Sequence, residues 1–393
     1  MTRKADQSGS SRYLRRRCSI SFQIIAGRVR VLAVLLVIFM AWGVALSFAG
    51  CGNTEMTKKA EKSTEASSKE TDSRTETETS REVFAMDTYM TVTAYGKESE
   101  TAVEEAISEI KRLDALWSVG NEDSEVSRLN TEGSLTLSAE TSDLITEALN
   151  LFRETDGTFD ITIYPLMDEW GFTTQNYQVP SEDRIHALLE KVDAGLLEYD
   201  SGTGQLTLPQ GMKIDLGGIA KGYTSAHIMD VFSRYDIVSG LVSLGGNVQT
   251  YHRKPDGSLW RVGVENPDPT AGQLANSDYV GVLEVADKAI ITSGGYERYF
   301  EENGKKYHHI LDPSTGYPSD HGLISVTIVS EDGCLADGLS TSLFVMGLDK
   351  SLEYWRNHRE DFDAVFVDRE GRITVTSGLR ESFSTDLKYE LAE

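Results

Sequence analysis

Lys213 to Tyr251 reads KIDLGGIAKGYTSAHIMDVFSRYDIVSGLVSLGGNVQTY, and the order of patterns in it decides the fold class. Lys213 to Leu216 has the look of a short strand, and the glycine pair Gly217-Gly218 stops it. The spacing predicts a helix from about Ile219 to Tyr235. Val238 to Tyr251 then reads as a strand. Upstream, Val83 to Gly96 reads as a first strand, with Met86-Asp87-Thr88 inside it. Ser99 to Leu116 is helical, because Val103, Ala106, Ile107, Ile110, Leu113 and Leu116 share one face. Thr141 to Thr155 repeats that pattern, and Leu206 to Leu208 is a short strand. Downstream, Leu259 to Val264, Val280 to Val285, Lys288 to Thr292 and Ile324 to Ser330 read as strands. Tyr296 to Ile310 is a hairpin turning at Asn303-Gly304. Helices follow at Leu335 to Met346 and Ser351 to Asn357, and Asp363 to Thr376 closes with a hairpin at Glu370-Gly371. Strands and helices come in clusters, not in strict βαβ alternation. The expected class is α+β, with largely antiparallel sheets flanked by helices.

The N-terminus obeys a different logic. Arg12, Arg15, Arg16, Arg17, Arg28 and Arg30 precede an uncharged, mostly apolar run from Val31 to Gly50. A basic region before such a run reads as an export signal, and the run is also long enough for a membrane-spanning helix. It ends Ser47-Phe48-Ala49-Gly50-Cys51, a pattern similar to a bacterial lipobox, in which Cys51 would be lipidated. Residues 1–51 are therefore expected to be a signal peptide with lipobox, or a retained anchor. Either places the rest outside the cytoplasm, at the cell membrane. Residues 52–82 are nearly all Thr, Ser, Glu, Lys and Ala, too polar to offset their own ordering entropy, and read as a disordered tether. Residues 83–393 form the folded body.

The chain of 393 residues carries a net charge of −24, and no basic stripe follows the N-terminus, so nucleic acid is not an expected partner. Of three cysteines, Cys18 falls in the signal and Cys51 at the lipobox. Cys334 is left without a disulfide framework and reads as a small core residue.

Several segments have chemical potential. In Asp215-Leu216-Gly217-Gly218-Ile219-Ala220-Lys221-Gly222-Tyr223 a strand ends in glycines and a helix begins. Backbone amides can approach an anion there, and Lys221 lies in the first turn. The spacing is neither that of a Walker loop nor that of a dinucleotide fingerprint, and a plain packing turn explains it equally well. In Ala336-Asp337-Gly338-Leu339-Ser340-Thr341, Asp337 and Thr341 stand one helical turn apart, a carboxylate and a hydroxyl suited to Mg²⁺. A helix start with a solvated Asp is the plainer reading. In His308-His309-Ile310-Leu311-Asp312-Pro313-Ser314-Thr315-Gly316, His309 at a strand end is a candidate general base, or a structural histidine. Gly157-Thr158-Phe159-Asp160 is a loop that says little alone.

Together these segments resemble the ApbE family of FAD:protein FMN transferases, from about Phe84 to about Asp368. Further matching pieces are Ala85-Met86-Asp87-Thr88, Ser124-Glu125-Val126-Ser127-Arg128-Leu129-Asn130, Ser243-Leu244-Gly245-Gly246-Asn247 and Thr292-Ser293-Gly294-Gly295-Tyr296-Glu297-Arg298. The resemblance implies a duplicated T-fold-like body with FAD between its halves. It implies FAD contacts from Met86, Thr158, Phe159, Asp160, Asp215, Lys221 and Leu311. It places Mg²⁺ between Asp337, Thr341 and the Gly218 carbonyl, with Ser340 contributing. Two departures stand out. Asp87 occupies a position where the family often has glycine. The loop Ser118 to Asp123 lacks an aromatic that some members set against the flavin, which leaves Trp117 or Tyr89 as substitutes.

The implied reaction is Mg²⁺-dependent transfer of FMN from FAD to a Thr or Ser hydroxyl of an acceptor flavoprotein, releasing AMP, with His309 taking the proton. Implied acceptors are membrane redox-complex subunits with an Asp-Gly-x-Thr-Ser/Ala-type motif. Asp337-Gly338-Leu339-Ser340-Thr341 departs from that motif, which argues against self-flavinylation. Three alternatives remain at this point: hydrolysis of FAD to FMN and AMP, a non-enzymatic flavin-binding lipoprotein, and a transporter's solute-binding lipoprotein.

Overall fold

Chain order and spatial order coincide in the central sheet of this computed structural model, which describes residues 77–393 apart from residue 276. Its strands are β1 (Glu78–Ala85), β2 (Thr88–Gly96), β3 (Ile237–Leu244), β4 (Asn247–Tyr251), β5 (Ala289–Gly294), β6 (Leu323–Ser330), β7 (Phe362–Asp368), β8 (Ile373–Thr376) and β9 (Tyr389–Ala392). Each pairs with the next. All pairings are antiparallel except the last, β8 with β9, which is parallel.

Three helices cover one face, α1 (Ser99–Trp117), α3 (Ala220–Ser233) and α4 (Gly333–Met346), and α2 (Ala139–Glu154) packs on α4. On α1 the buried positions Ala102, Val103, Ala106, Ile110, Leu113 and Trp117 follow the helical period. Ala102, Val103, Ala106 and Ile110 meet Ile228 and Phe232 of α3 and Val92 and Ala94 of β2 in one apolar cluster, while Leu113 and Trp117 join a second one with Leu144 and Tyr223. In α3 and α4 most residues are buried, so neither has a polar outer face. The opposite face of the sheet is covered by a small antiparallel sheet of Trp260–Glu265, Tyr279–Val285 and Phe383–Ser384. Val248, Ile290, Val329 and Val365 pack there against Trp260, Val262 and Leu283. The α+β class with largely antiparallel sheets is therefore observed.

Three strand expectations need correction. Val83 to Gly96 is two strands, because Met86 and Asp87 take left-handed φ values of 47° and 58° and make a two-residue turn between β1 and β2. Val238 to Tyr251 is likewise a hairpin, broken at Gly245 (φ 63°) and Gly246 (φ 99°). Lys213 to Leu216 is no strand. The side chain of Asn130 brackets Ile214 instead, accepting from its amide at 2.7 Å and donating to its carbonyl at 2.8 Å. Backbone groups that a ladder would satisfy are satisfied by one asparagine.

β1 starts at Glu78, inside the stretch read as tether. The export segment, Cys51 and residues 52–76 lie outside the described residues. Among the described residues no helix is long and apolar enough to cross a membrane. Cys334 is buried in the core, 2% exposed.

Candidate active site

The turn tips Met86-Asp87 and Gly245-Gly246 and the start of α3 meet at one end of the sheet. Met86 ties β1–β2 to the helices: the hydroxyl of Thr224 in α3 lies 3.9 Å from its sulfur, and its amide donates to Asp114 of α1. The Gly245 amide donates to the Tyr89 carbonyl at 3.2 Å.

Asp337 sits at the centre, only 4% exposed. Its Oδ2 accepts from the Gly222 amide at 2.8 Å and its Oδ1 from Asn247 Nδ2 at 2.6 Å. Burial raises its carboxyl above the usual carboxylate range, while the Lys221 charge and these donors pull the other way. Glycines make the approach possible. A Cβ on Gly222 would run into the Gly333 carbonyl oxygen and lie 2.7 Å from the Asp337 Cβ. One turn on, Thr341 is partly exposed, and its Oγ1 meets Ser293 Oγ at 3.1 Å. Ser340 is wholly buried; its hydroxyl donates to the Asp337 carbonyl and meets Ser293 Oγ, both at 2.8 Å.

These groups fit Mg²⁺. Asp337 is a buried carboxylate held by neutral donors, and its two oxygens still have a lone pair to offer a cation. The Thr341 hydroxyl, one turn along, and the Ser293 hydroxyl that meets it are further hard oxygens of the kind Mg²⁺ prefers. Among the described residues no group of three or more His, Cys, Asp or Glu is arranged to hold a metal ion.

Gly157-Thr158-Phe159-Asp160 and Asp215-Leu216-Gly217-Gly218 lie side by side. The Asp215 amide donates to the Ile161 carbonyl at 2.8 Å, and a Cβ on Gly218 would meet the Phe159 ring at 3.2 Å. Asp215 Oδ1 accepts from the Gly217 amide at 2.8 Å; its carboxyl is raised by burial, against the charges of Arg298 and Lys221. Lys221 Nζ reaches the Gly217 carbonyl at 3.4 Å. Thr158 is half-buried, with its hydroxyl on the Thr155 carbonyl at 3.0 Å.

Two expected FAD contacts have structural duties. Asp160 is 7% exposed; Oδ1 accepts from the amide and hydroxyl of Thr162 (2.7 and 2.6 Å) and Oδ2 from the Ala194 amide (3.1 Å). Leu311 belongs to an apolar cluster with Leu166, Trp170 and Ile185. Of the two aromatic substitutes, Trp117 is committed to the core: it is 4% exposed, its Nε1 donates to Thr141 Oγ1 at 3.0 Å, and it packs edge-on against Tyr223. Tyr89 is 77% exposed, edge-on to Phe84, which is also exposed.

His309 Nδ1 lies 3.0 Å from the Arg298 carbonyl. A carbonyl only accepts, so Nδ1 carries the proton and Nε2 keeps its lone pair. Protein crowding, aided by the Arg298 charge, lowers the imidazole to about 3, so it is neutral at physiological pH. Glu297 remains solvent-accessible, yet crowding within the concave cleft pushes it up to about 7, with Glu265 and Asp337 adding and Lys221 opposing. Asn247, Ser293, Glu297 and Arg298 fall in segments whose sequence resemblance was visible but to which no individual role attached. Their roles depend on contacts between residues far apart in sequence.

Comparison with known proteins agrees with this arrangement. The ApbE family model matches residues 86–366. An FAD:protein FMN transferase of Klebsiella pneumoniae is 35% identical over 289 residues, covering 72% of this chain and 88% of the relative. One from Treponema pallidum is 30% identical, covering 77% and 88%. Among solved structures, the ApbE protein of Thermotoga maritima superposes with a TM-score of 0.72 at 33% identity, covering 77% of this chain and 98% of that one. The flavinyl transferase ApbE of Pseudomonas stutzeri gives 0.69 at 30% identity, covering 79% and 98%.

Proposed function

This chain belongs to the ApbE family, and from that premise we propose that it is an extracytoplasmic, membrane-tethered enzyme that uses Mg²⁺ to move FMN from FAD onto a Ser or Thr hydroxyl of an acceptor protein, releasing AMP. It is an enzyme of the FAD:protein FMN transferase type, and flavin transfer is its activity. The metal, the acceptor hydroxyl, the leaving group and the location are the proposed parts.

The observation that carries the metal and phosphate chemistry is the buried Asp337 clamped by Gly222 and Asn247, beside Lys221 and the Ser293–Thr341 hydroxyl pair. Asp337, Thr341 and the Gly218 carbonyl would hold Mg²⁺, with Ser340 buttressing Asp337 from below. Bound there, the ion supplies positive charge to the pyrophosphate and to the oxygen that leaves with AMP. Lys221, in the first turn of α3, and Arg298 add charge complementary to the same phosphates.

In the proposed step, the acceptor hydroxyl oxygen attacks the phosphorus on the FMN side of the pyrophosphate. A new P–O bond forms, the anhydride P–O bond breaks, and AMP departs with that electron pair. The hydroxyl proton goes to His309 Nε2, which the Arg298 carbonyl keeps unprotonated and oriented. Negative phosphates near the imidazole raise its proton affinity above that of the free site. The acceptor proposed is a membrane redox-complex subunit carrying a Thr/Ser flavinylation motif. Lipidation at Cys51 and the polar tether would let the body reach such a partner at the membrane surface.

The test is a denaturing gel read by flavin fluorescence, after incubation with FAD, Mg²⁺ and an acceptor domain. A fluorescent acceptor band that disappears with chelator or with Asp337→Ala supports the reading. A band indifferent to both removes the metal assignment.

A further inference from the structure

We infer that Asn247 is a positioning residue for the divalent-cation site, acting by holding the Asp337 carboxylate in one orientation; this rests on the metal reading proposed above. Asn247 is 4% exposed, and its Nδ2 donates to Asp337 Oδ1 at 2.6 Å. The other carboxylate oxygen takes the Gly222 amide at 2.8 Å. The two donors come from different elements, β4 and α3, and the carboxylate comes from a third, α4. Donors on both oxygens, with the Lys221 amide adding to them, fix the carboxylate plane and still leave a lone pair for a cation. Asn247 is the one side chain among these donors, and removing it frees Oδ1.

Asn247 is itself held. It pairs with Leu244 across the β3–β4 turn, and that turn is pinned by the Gly245 amide on the Tyr89 carbonyl at 3.2 Å. A side chain at position 245 would overlap Thr88. The β1–β2 hairpin, which carries Met86, therefore seats the turn that presents Asn247. Partners that orient a metal ligand without touching the metal typically change its affinity by about 10–100-fold when removed.

The probe is Mn²⁺, titrated by its EPR signal against the full chain with FAD present and acceptor absent. Asn247→Leu keeps the volume and loses the donor. The expected result is Mn²⁺ affinity lower by roughly 10–100-fold, with FAD affinity, read by quenching of flavin fluorescence, unchanged. Asn247→Ala serves as a second variant if Asn247→Leu does not fold, with circular dichroism checking each. Wild-type Mn²⁺ affinity in a folded variant overturns the role of Asn247. Failure of the wild-type chain to bind Mn²⁺ overturns the metal reading itself, and the two failures are distinct.

Discussion

The amide of Gly222 and the carboxylate of Asp337, 115 residues apart, meet at 2.8 Å because α3 and α4 cross where neither can bear a larger side chain. Gly338, the next residue on α4, faces the tip of the Leu151 side chain, which can move aside, so the tight crossing is the one at Gly222. Gly222 is thus part of the site, setting how closely the start of α3 approaches the carboxylate on α4.

Gly222→Ala is expected to push the helices apart. Overpacking against backbone costs about 1–3 kcal/mol, and the bond to Asp337 lengthens. Urea unfolding should show the loss of stability, and flavin transfer should fall further than the folded fraction does. Wild-type stability and rate together would mean that the crossing is looser than described.

His309→Gln preserves polarity but removes the imidazole base. Flavin transfer at saturating FAD should slow by about 10²–10⁴-fold, while FAD binding, followed by fluorescence quenching, stays intact. An unchanged rate would exclude His309 as the proton acceptor.

Trp117 and Tyr89 should separate cleanly. Trp117→Ala empties a core position and loses the bond to Thr141, an expected cost of about 3–5 kcal/mol. Tyr89→Ala at an open position should leave the unfolding midpoint within about 0.5 kcal/mol of wild type. Equal effects of the two changes would refute their assignment to core and surface.

Asp332 predicts a pH dependence of stability. It caps α4 by accepting from the Leu335 amide at 3.0 Å, and burial, with Glu147 and Asp361 nearby, raises its carboxyl from 3.8 to about 7. The folded value exceeds the unfolded one, so the unfolded chain sheds the proton first as pH rises. This group's contribution is fully present below pH 3.8 and is lost as pH climbs through 7. Asp332→Asn keeps a capping oxygen and cannot ionise, so its stability relative to wild type should grow between pH 4 and pH 7. A constant difference across that range would contradict the shift.

What the sequence revealed depended on how local the cause was. The face of α1 and the Asn303-Gly304 hairpin were legible because periodicity and turn chemistry are written in adjacent residues. The turn at Met86-Asp87 was hidden because neither residue is a glycine and strand-like residues flank it on both sides. Lys213 to Leu216 has strand composition, yet its backbone partner is the side chain of Asn130, 84 residues earlier. Asp337, Thr341, Lys221 and His309 could be singled out by residue type and spacing. Asn247 and Ser293 could not, because an asparagine after a glycine pair and a serine in a strand acquire meaning only from what lies across the sheet.

The most direct test of the proposed reaction is mass spectrometry of an acceptor domain after incubation with the full chain, FAD and Mg²⁺, with AMP measured in the same sample. The expected product is FMN joined by a phosphoester to one Ser or Thr of the acceptor, with one AMP released for each flavin attached. FMN and AMP appearing free, with the acceptor's mass unchanged, would contradict transfer and identify a hydrolase.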